Sequence, residues 1–332
     1  MTDARTLIVP HADVARLLPM AACIDLMADA LGTLARGDAL LPLRTVLRLP
    51  GGRNAFASMP AVLGHSIGAK VITVFPGNEG TPYESHIGVV LYFDDTHGRL
   101  LAIIDASSVT AIRTAAVSGL ATRLLARPDA TDLAILGSGT QAMTHLDAMR
   151  CVRDIRSVRV WSRSADSGGR FAQQAQARLG VTVTVVASAE AAVRDAHIVC
   201  TTTASREPVL RGEWLAPGTH INAVGASLAS ARELDSDAVV RSRLYVDRRE
   251  SAMAEAGDFL IPREEGVVAS DHIVGELGDV VLGRVPGRAA SSDITLFKSL
   301  GLAIEDIAAA KFIYERASAS GTGTWVELGG LK

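Results

Sequence analysis

The chain has 332 residues, of which 48% are hydrophobic and 21% charged, and its formal net charge is −3 at pH 7. This length fits two domains, and the ordinary composition excludes a largely disordered chain. The weak negative charge gives no broad attraction to nucleic acid or to an anionic membrane, so we expect a small molecule as the partner.

The cysteines and the N-terminus bear on location. Cys23, Cys151 and Cys200 are widely spaced and suggest neither a disulfide framework nor a metal site, which favours a reducing compartment. The N-terminus includes acidic Asp3 and lacks a basic segment followed by a long apolar one. No stretch reaches the roughly 18 apolar residues of a membrane span. We therefore expect a cytoplasmic protein with no membrane partner.

The first part of the chain predicts helices and then a sheet. Apolar residues recur every three or four positions between Asp13 and Leu34, which predicts helices broken at Pro19. Short alternating or apolar runs, separated by Pro and Gly turns, predict strands at 44–49, 55–59, 68–75, 88–94 and 100–105. An alanine-rich stretch over 110–125 predicts a helix.

The pattern changes after Pro128. Strands predicted at 133–136, 158–161, 181–186, 198–201, 220–224 and 244–246 alternate with helices predicted at 141–152, 169–179 and 189–193. Such alternation predicts parallel βαβ units and an α/β fold. Helical spacing over 295–317 predicts a last helix that returns to the N-terminal domain.

A glycine turn follows the strand predicted at 133–136. Its sequence is Gly137-Ser138-Gly139-Thr140-Gln141-Ala142. Gly137 allows a tight turn, Gly139 lets the backbone approach a pyrophosphate, and Ala142 permits close helix packing. The helix N-terminus adds N–H groups for phosphate. An ordinary Gly-rich turn is the alternative, but the flanking strand and helix favour a Rossmann dinucleotide-binding domain.

The end of the strand predicted at 158–161 indicates which nicotinamide dinucleotide binds. A carboxylate there would bond the ribose 2′-OH and repel a 2′-phosphate. Ser162-Arg163-Ser164 carries none, and its hydroxyl and guanidinium groups suit a phosphate. We expect NADP, with NAD as the alternative. The competing interpretation makes Arg163 an ordinary solvated arginine.

Three basic residues, Arg44, Lys70 and Arg113, lie in apolar surroundings. Buried basic groups are costly unless an anion compensates them. A substrate carboxylate is one candidate, and an ion pair within the protein or a side chain reaching to water is the other. The eight histidines form no HExxH or HxH pairing, so we expect no metal.

At many separate segments the sequence resembles the ornithine cyclodeaminase and μ-crystallin family. The matching segments are Pro42-Leu43-Arg44-Thr45, Met59-Pro60, Gly68-Ala69-Lys70-Val71, Phe75-Pro76-Gly77-Asn78, Ser85-His86, Thr110-Ala111-Ile112-Arg113-Thr114-Ala115-Ala116, the glycine turn, Ile221-Asn222-Ala223-Val224-Gly225 and Phe297-Lys298-Ser299-Leu300-Gly301. The resemblance implies a homodimeric enzyme. Its Rossmann domain, 128–292, is inserted in an α+β domain, 1–127 with 293–332, that carries substrate and dimer contacts.

The resemblance also implies roles for individual residues. Arg44, Lys70 and Arg113 surround a substrate carboxylate, and Lys70 takes part in proton transfer. His86 lines the nicotinamide end, either as an acid or as a structural histidine. Ser227 lies at the substrate. The residues implied for the cofactor are Ser85, Arg113, Gly137, Ser138, Gly139, Thr140, Gln141, Ala142, Ser162, Arg163, Ser164, Thr202, Val224 and Ser299.

Two departures from cyclodeaminases indicate the chemistry. Ser227 stands where those enzymes carry an aspartate base, and Ala57 stands where they place a glutamate for the distal amine of ornithine. The run from Gly225 to Asp235 resembles the ketimine reductase branch. We expect an NAD(P)H-dependent oxidoreductase that reduces a C=N bond next to a carboxylate to a small L-amino acid, or dehydrogenates the amino acid in reverse. Ornithine cyclodeamination with bound NAD, and non-catalytic binding of a small ligand, are the alternatives.

Overall fold

The computed structural model describes residues 5–52, 54–78 and 81–329. The chain divides into two units. Unit 1 comprises Met1–Arg113 and Leu302–Lys332, and unit 2 comprises Thr114–Gly301. The boundary at Arg113 lies within helix α3 (Ala106–Leu125). The domain bounds expected from the sequence, 1–127 with 293–332 and 128–292, stay a prediction.

Unit 1 contains a mixed eight-stranded sheet. Its strands are β1 (Arg5–Val9), β2 (Ala39–Leu40), β3 (Thr45–Arg48), β4 (Ala55–Leu63), β5 (Ser66–Val74), β6 (His86–Phe93), β7 (Leu100–Asp105) and β16 (Thr324–Glu327). The order is β16-β1-β7-β6-β5-β4-β2, and β3 also pairs with β4. Neighbouring strands are antiparallel except β1 and β7.

Among the described residues of unit 1, the α-helices that lie wholly within it are α1 (His11–Leu17), α2 (Met20–Arg36) and α11 (Ala303–Ser320). The break between α1 and α2 falls at Pro19, as predicted from the sequence. Helix α11 packs on β4, β5 and β6 and against α2. A Cβ placed on Gly68 would lie 2.4 Å from Cδ1 of Ile307, so a glycine is needed for this close approach. Strand alternation then turns Lys70 toward α11 as well.

No single helix of the described residues is long and apolar enough to cross a membrane. Helices α1 and α2 pass that test only as a pair, with a bend of 79° between them.

Unit 2 contains a parallel sheet with helices. Its strands are β8 (Asp132–Leu136), β9 (Ser157–Trp161), β10 (Thr184–Val185), β11 (Ile198–Thr201), β12 (His220–Ala223), β13 (Ser242–Val246), β14 (Ile273–Glu276) and β15 (Ile294–Lys298). Its helices after α3 are α4 (Thr140–Val152), α5 (Ala165–Leu179), α6 (Ala189–Val193), α7 (Ser236–Val240), α8 (Arg249–Glu255), α9 (Gly257–Glu264) and α10 (Leu277–Val281).

The strand order of this sheet is β10-β9-β8-β11-β12-β15-β13-β14. The first five strands are therefore arranged 3-2-1-4-5, as in a doubly wound dinucleotide-binding fold. The order reverses at β8, which has β9 on one side and β11 on the other. Ligands of such sheets bind outside the carboxyl ends of the strands at this switch point. The predicted α/β class with a Rossmann domain is confirmed.

The helix predicted over 295–317 is wrong for its first residues. Ile294–Lys298 forms β15, which lies between β12 and β13 and is buried throughout. Gly301 then adopts φ +80, and α11 begins at Ala303. A short apolar run has the same composition in a buried strand and in a buried helix, and here pairing with two neighbouring strands decides the outcome.

Candidate functional site

Unit 1 carries a buried charged cluster formed by Lys70, Arg113, Glu305 and Asp306. Asp306 Oδ2 lies 2.9 Å from Lys70 Nζ, and Asp306 Oδ1 accepts a 3.0 Å hydrogen bond from Arg113 Nε. Glu305 Oε2 accepts a 2.6 Å bond from Arg113 Nη1. Lys70 Nζ also donates to Thr110 Oγ1 at 3.4 Å. Two of the three basic residues predicted at the substrate, Lys70 and Arg113, are therefore brought together by Asp306, and Glu305 also bonds Arg113.

The fold explains why these charges meet. Lys70 projects from β5, and Arg113 from α3. Glu305 and Asp306 lie in the first turn of α11, where the helix dipole favours negative charge. The side chains of Lys70 and Arg113 are 2% and 5% exposed, and both carboxylates are 0% exposed. Buried charges persist only when they are paired, as they are here.

Burial and neighbouring charges shift the two basic groups in opposite directions. Burial, aided by the positive charge of Arg113, lowers the pKa of Lys70 from 10.5 to about 8, although Asp306 opposes this change. Burial also disfavours the charged form of Arg113, but Asp306 and Glu305 outweigh it and raise the pKa of Arg113. Arg113 thus stays a permanent cation, while Lys70 is protonated at pH 7 and loses its proton as the pH rises through about 8.

The remaining sequence-predicted residues of unit 1 flank this cluster. Arg44 precedes β3 and is close enough to contribute to the lowered pKa of Lys70. His86 begins β6, and its Nδ1 lies 3.0 Å from Ser85 Oγ. The residue surface of His86 is exposed, but protein packed around the ring, together with the charges of Lys70 and Arg113, lowers its pKa. The neutral imidazole is therefore favoured.

The cluster leaves one nitrogen of the Arg113 guanidinium group available to a ligand. The hydrogen bonds that described residues make with Arg113 use Nε and Nη1, so Nη2 remains for another acceptor. Ala57 is buried on β4, across from Val46 and Ile72, and supplies no charge. The arrangement suits a carboxylate better than an ammonium group.

In unit 2 the glycine turn has the form that a dinucleotide requires. Gly137 adopts φ +117, and a Cβ there would lie 2.8 Å from the carbonyl oxygen of Thr202. Gly139 is the N-cap of α4, has no side-chain cap, and a Cβ there would have no atom within 4 Å. Open space and uncapped N–H groups are therefore available to a pyrophosphate at this turn. The residues present fit the cofactor.

The second predicted cofactor segment follows β9. Ser162 Oγ lies 2.9 Å from Ser138 Oγ, which ties this segment to the glycine turn. Arg163 is exposed, and Ser164 caps α5 by accepting a hydrogen bond from Ser167 N. An exposed guanidinium group thus lies beside two hydroxyl groups, with no carboxylate among residues 162–164.

The other predicted cofactor residues follow successive strands of the same sheet. Thr202 comes after β11 and donates its N–H to Leu136 O at 2.8 Å. Val224 comes after β12, and Ser299, after β15, donates its N–H to Ala223 O at 3.0 Å. Ser227 is exposed in the loop after β12. The structure thus gathers the predicted cofactor residues of unit 2 at the carboxyl edge of one sheet.

Sequence reasoning missed the acidic half of the charged cluster. Glu305 and Asp306 stand side by side between the apolar residues 303–304 and 307–310 of α11, which is a visible signal of a buried ion pair. It also missed Glu233, whose carboxylate is buried beside the loops after β11 and β12. Within the described ranges, no group of three or more His, Cys, Asp and Glu side chains could hold a metal ion.

Comparison with known proteins agrees with this geometry. The profile of the ornithine cyclodeaminase/mu-crystallin family matches residues 4–321. Ketimine reductase mu-crystallin of Mus musculus is 40% identical over 281 residues, which are 84% of this chain and 86% of the relative.

Two solved structures share the fold closely. Delta(1)-pyrroline-2-carboxylate reductase of Thermococcus litoralis, in complex with NADH and L-proline, matches with a TM-score of 0.94 and 38% identity, over 97% of this chain and 100% of that one. An archaeal alanine dehydrogenase dimer with bound NAD matches with a TM-score of 0.92 and 32% identity, over 98% of this chain and 100% of that one.

Proposed function

The chain belongs to the ornithine cyclodeaminase/mu-crystallin family, and we propose that it is an NAD(P)H-dependent reductase of a C=N bond next to a carboxylate. The observation that carries this proposal is the buried pair Lys70 and Arg113 in a chain whose other unit has a dinucleotide turn. The named activities of its relatives, ketimine reduction and pyrroline-2-carboxylate reduction, support the same reaction class. In reverse it is an amino acid dehydrogenation.

On the substrate side, Arg113 and Arg44 hold the carboxylate. Nη2 of Arg113 offers a charge-assisted hydrogen bond, and Glu305 and Asp306 fix the plane of the guanidinium group. Holding the carboxylate in this way orients the adjacent C=N bond and removes its rotational freedom before reaction.

Lys70 is the proton donor of the proposed reaction. The reduction adds a hydride to the imine carbon and a proton to the imine nitrogen, so a donor is needed at that nitrogen. With a pKa of about 8, Lys70 carries a proton at pH 7 and gives it up readily. The neutral form of His86 is favoured, which makes it a poorer acid; we assign it to the wall of the pocket with Ser85.

On the cofactor side, residues 137–142 bind the pyrophosphate, and Thr202, Val224 and Ser299 lie along the adjoining strand ends. The bound nicotinamide supplies the hydride. We propose NADP as the preferred dinucleotide, because Arg163 with Ser162 and Ser164 can bind a 2′-phosphate. NAD is the alternative, because one solved relative binds NADH and another binds NAD.

We further propose a cytoplasmic homodimer. Leu47, Phe56 and Ile87 are exposed and lie in one cross-strand row, joined by Thr73, on the sheet face opposite α11. Exposed apolar rows of this kind are typical of subunit interfaces. The alanine dehydrogenase dimer supports the same assembly. The cytoplasmic location is supported by the three cysteines, which are all free thiols.

The test is a substrate panel with purified protein. NADPH or NADH is mixed with Δ1-pyrroline-2-carboxylate, with larger cyclic ketimines, and with 2-oxo acids plus ammonia or methylamine, and nucleotide oxidation is followed by absorbance. We expect oxidation with at least one imine and formation of the L-amino acid. Lys70→Ala and Arg113→Ala should remove most of it, whereas the exposed Lys311→Ala should not. No oxidation with any member of the panel would refute the proposal.

Ornithine cyclodeamination is not favoured. Ser227 and Ala57 provide no carboxylate at the two positions where cyclodeaminases carry one. Incubation with ornithine and NAD should therefore release no ammonia. Tight binding of a small ligand without turnover, and tolerance of Lys70→Ala, would instead support the non-catalytic alternative.

A further inference from the structure

Unit 2 contains a fully buried carboxylate that joins two loops. Each oxygen of Glu233 accepts two hydrogen bonds: Oε2 from Thr201 Oγ1 at 2.8 Å and Gly225 N at 2.6 Å, and Oε1 from Thr203 N at 2.6 Å and Thr203 Oγ1 at 2.7 Å. Thr201 and Thr203 lie at the end of β11, and Gly225 follows β12. Glu233 itself is 0% exposed.

These contacts favour the ionised form of Glu233. Two of the four partners are backbone N–H groups, which can only donate, and a deprotonated carboxylate can also accept from both threonine hydroxyl groups. Burial, followed by the negative charge of Asp258, raises the pKa of Glu233, while Thr203 and Lys298 oppose that change. A carboxylate kept in such a position despite its cost indicates a need for defined geometry.

A second buried ion pair, Asp258 and Lys298, holds the backbone of Glu233 and the loop after β12. Asp258 Oδ1 accepts hydrogen bonds from Glu233 N at 2.7 Å and Leu234 N at 3.0 Å. Asp258 Oδ2 lies 2.9 Å from Lys298 Nζ. Lys298 Nζ donates to Ala226 O at 2.5 Å and Ala223 O at 3.3 Å. The loop after β12 is therefore held on its N–H side by Glu233 and on its carbonyl side by Lys298.

The two loops also touch directly. A Cβ on Gly225 would lie 2.0 Å from the carbonyl oxygen of Thr203, so the backbones approach as closely as glycine allows. Thr202, between the two threonines that bond Glu233, contacts Gly137 in the glycine turn. A change in Glu233 would thus displace both loops relative to the pyrophosphate site.

The strand order tells which half of a dinucleotide these loops meet. The segment at 162–164, after β9, lies on one side of the glycine turn, and β11 with β12 lies on the other. A dinucleotide bound across the switch point places its two mononucleotide halves on these two sides. Since the 162–164 segment takes the adenosine ribose, the loops after β11 and β12 take the nicotinamide half.

We propose that Glu233 is a positioning residue, which through its ionised carboxylate sets the two loops that hold the nicotinamide half of the cofactor. The inference rests on the proposed function, because it assumes that this sheet edge binds NAD(P)H. It assigns Glu233 no contact with the reacting atoms. Its role is to hold Thr202, Val224 and Gly225 at fixed positions.

The test compares a whole dinucleotide with a fragment that lacks nicotinamide. For the wild-type protein, calorimetry gives dissociation constants for two pairs of ligands: NADPH with 2′-phospho-ADP-ribose, and NADH with ADP-ribose. The pair that the wild-type protein binds more tightly is then used for the variants. Glu233→Gln turns one acceptor into an NH₂ donor that faces a backbone N–H, and it removes the negative charge. We expect the dissociation constant of the dinucleotide to rise by about tenfold or more, because a buried hydrogen bond to a charged group is lost. The dissociation constant of the fragment should change by less than about twofold.

The matched control is Glu213→Gln, the same exchange at an exposed glutamate of unit 2, which should change neither constant. Thr201→Val and Thr203→Val each remove one hydroxyl donor and serve if Glu233→Gln fails to fold; a smaller loss confined to the dinucleotide is expected. An equal rise in the dissociation constants of the dinucleotide and the fragment, or no rise in either, would overturn the inference. Wild-type protein that binds neither dinucleotide would refute the proposed function and this inference with it.

Discussion

The substitution Asp306→Asn tests the charged cluster most directly. Asp306 is the carboxylate that Lys70 and Arg113 share, at 2.9 and 3.0 Å. Removing one member of a buried ion pair costs about 3–5 kcal/mol. At about 2–4 °C for each kcal/mol, the Tm should fall by roughly 10 °C. Thermal unfolding followed by circular dichroism measures this change.

The same variant should shift the pH dependence of activity. Lys70 has a pKa of about 8, because Asp306 raises the pKa while burial and the charge of Arg113 lower it. In wild type, kcat/KM should therefore decline as the pH rises through about 8, because Lys70 loses the proton that it donates. Without Asp306 the pKa of Lys70 falls further, so the decline should begin at lower pH. Initial rates at saturating NADPH, measured on both sides of pH 8, give the two profiles.

Glu305→Gln is the matched control. Glu305 bonds Arg113 and not Lys70, so this variant should also lower the Tm but leave the alkaline decline near its wild-type pH. If Asp306→Asn leaves the decline in place, or if Glu305→Gln moves it equally far, Lys70 is not the group that sets it.

Three further outcomes follow from the structure. Arg163→Ala should raise the KM for NADPH by about tenfold and leave that for NADH unchanged, because a charge-assisted hydrogen bond to phosphate contributes about 1.5–3 kcal/mol; equal effects on both would contradict NADP preference. Gly137→Ala should destabilise the free protein by about 1–3 kcal/mol, since its φ is +117 and Thr202 blocks a Cβ, whereas Gly139→Val should weaken NADPH binding at nearly unchanged Tm. Phe56→Asp should yield monomers by sedimentation; an unchanged dimer would place the interface elsewhere.

Local patterns predicted most of unit 2. The glycine turn could be identified because Gly137 must take a positive φ and Gly139 must leave open space, and both needs are met within a few residues. The alternation of strands and helices likewise depends on neighbours in sequence. Residues 295–298 were mispredicted because their pairing with β12 and β13 is not encoded in their own spacing.

The charged cluster could be predicted only in half. Lys70 and Arg113 stood out as basic residues in apolar segments, but Asp306 lies 236 positions from Lys70 in the chain. Sequence spacing carries no information on such a pair, since the fold alone brings α11 onto β5. The two interpretations left open from the sequence, an ion pair or a ligand carboxylate, are therefore compatible: Asp306 pairs with both cations, and Nη2 of Arg113 remains for a ligand.

The charges of the cluster bear on which substrates fit. Lys70 and Arg113 contribute two positive charges, and Glu305 and Asp306 contribute two negative ones. Nη2 of Arg113 remains for an acceptor, which one carboxylate can provide. Ala57 adds no negative charge that could hold an ammonium group, and a second carboxylate would lack a partner. Because an unpaired charge in such a site is costly, we expect imines with a single carboxylate and an uncharged remainder to react faster than those derived from diamino or dicarboxylic acids, and the substrate panel measures that order.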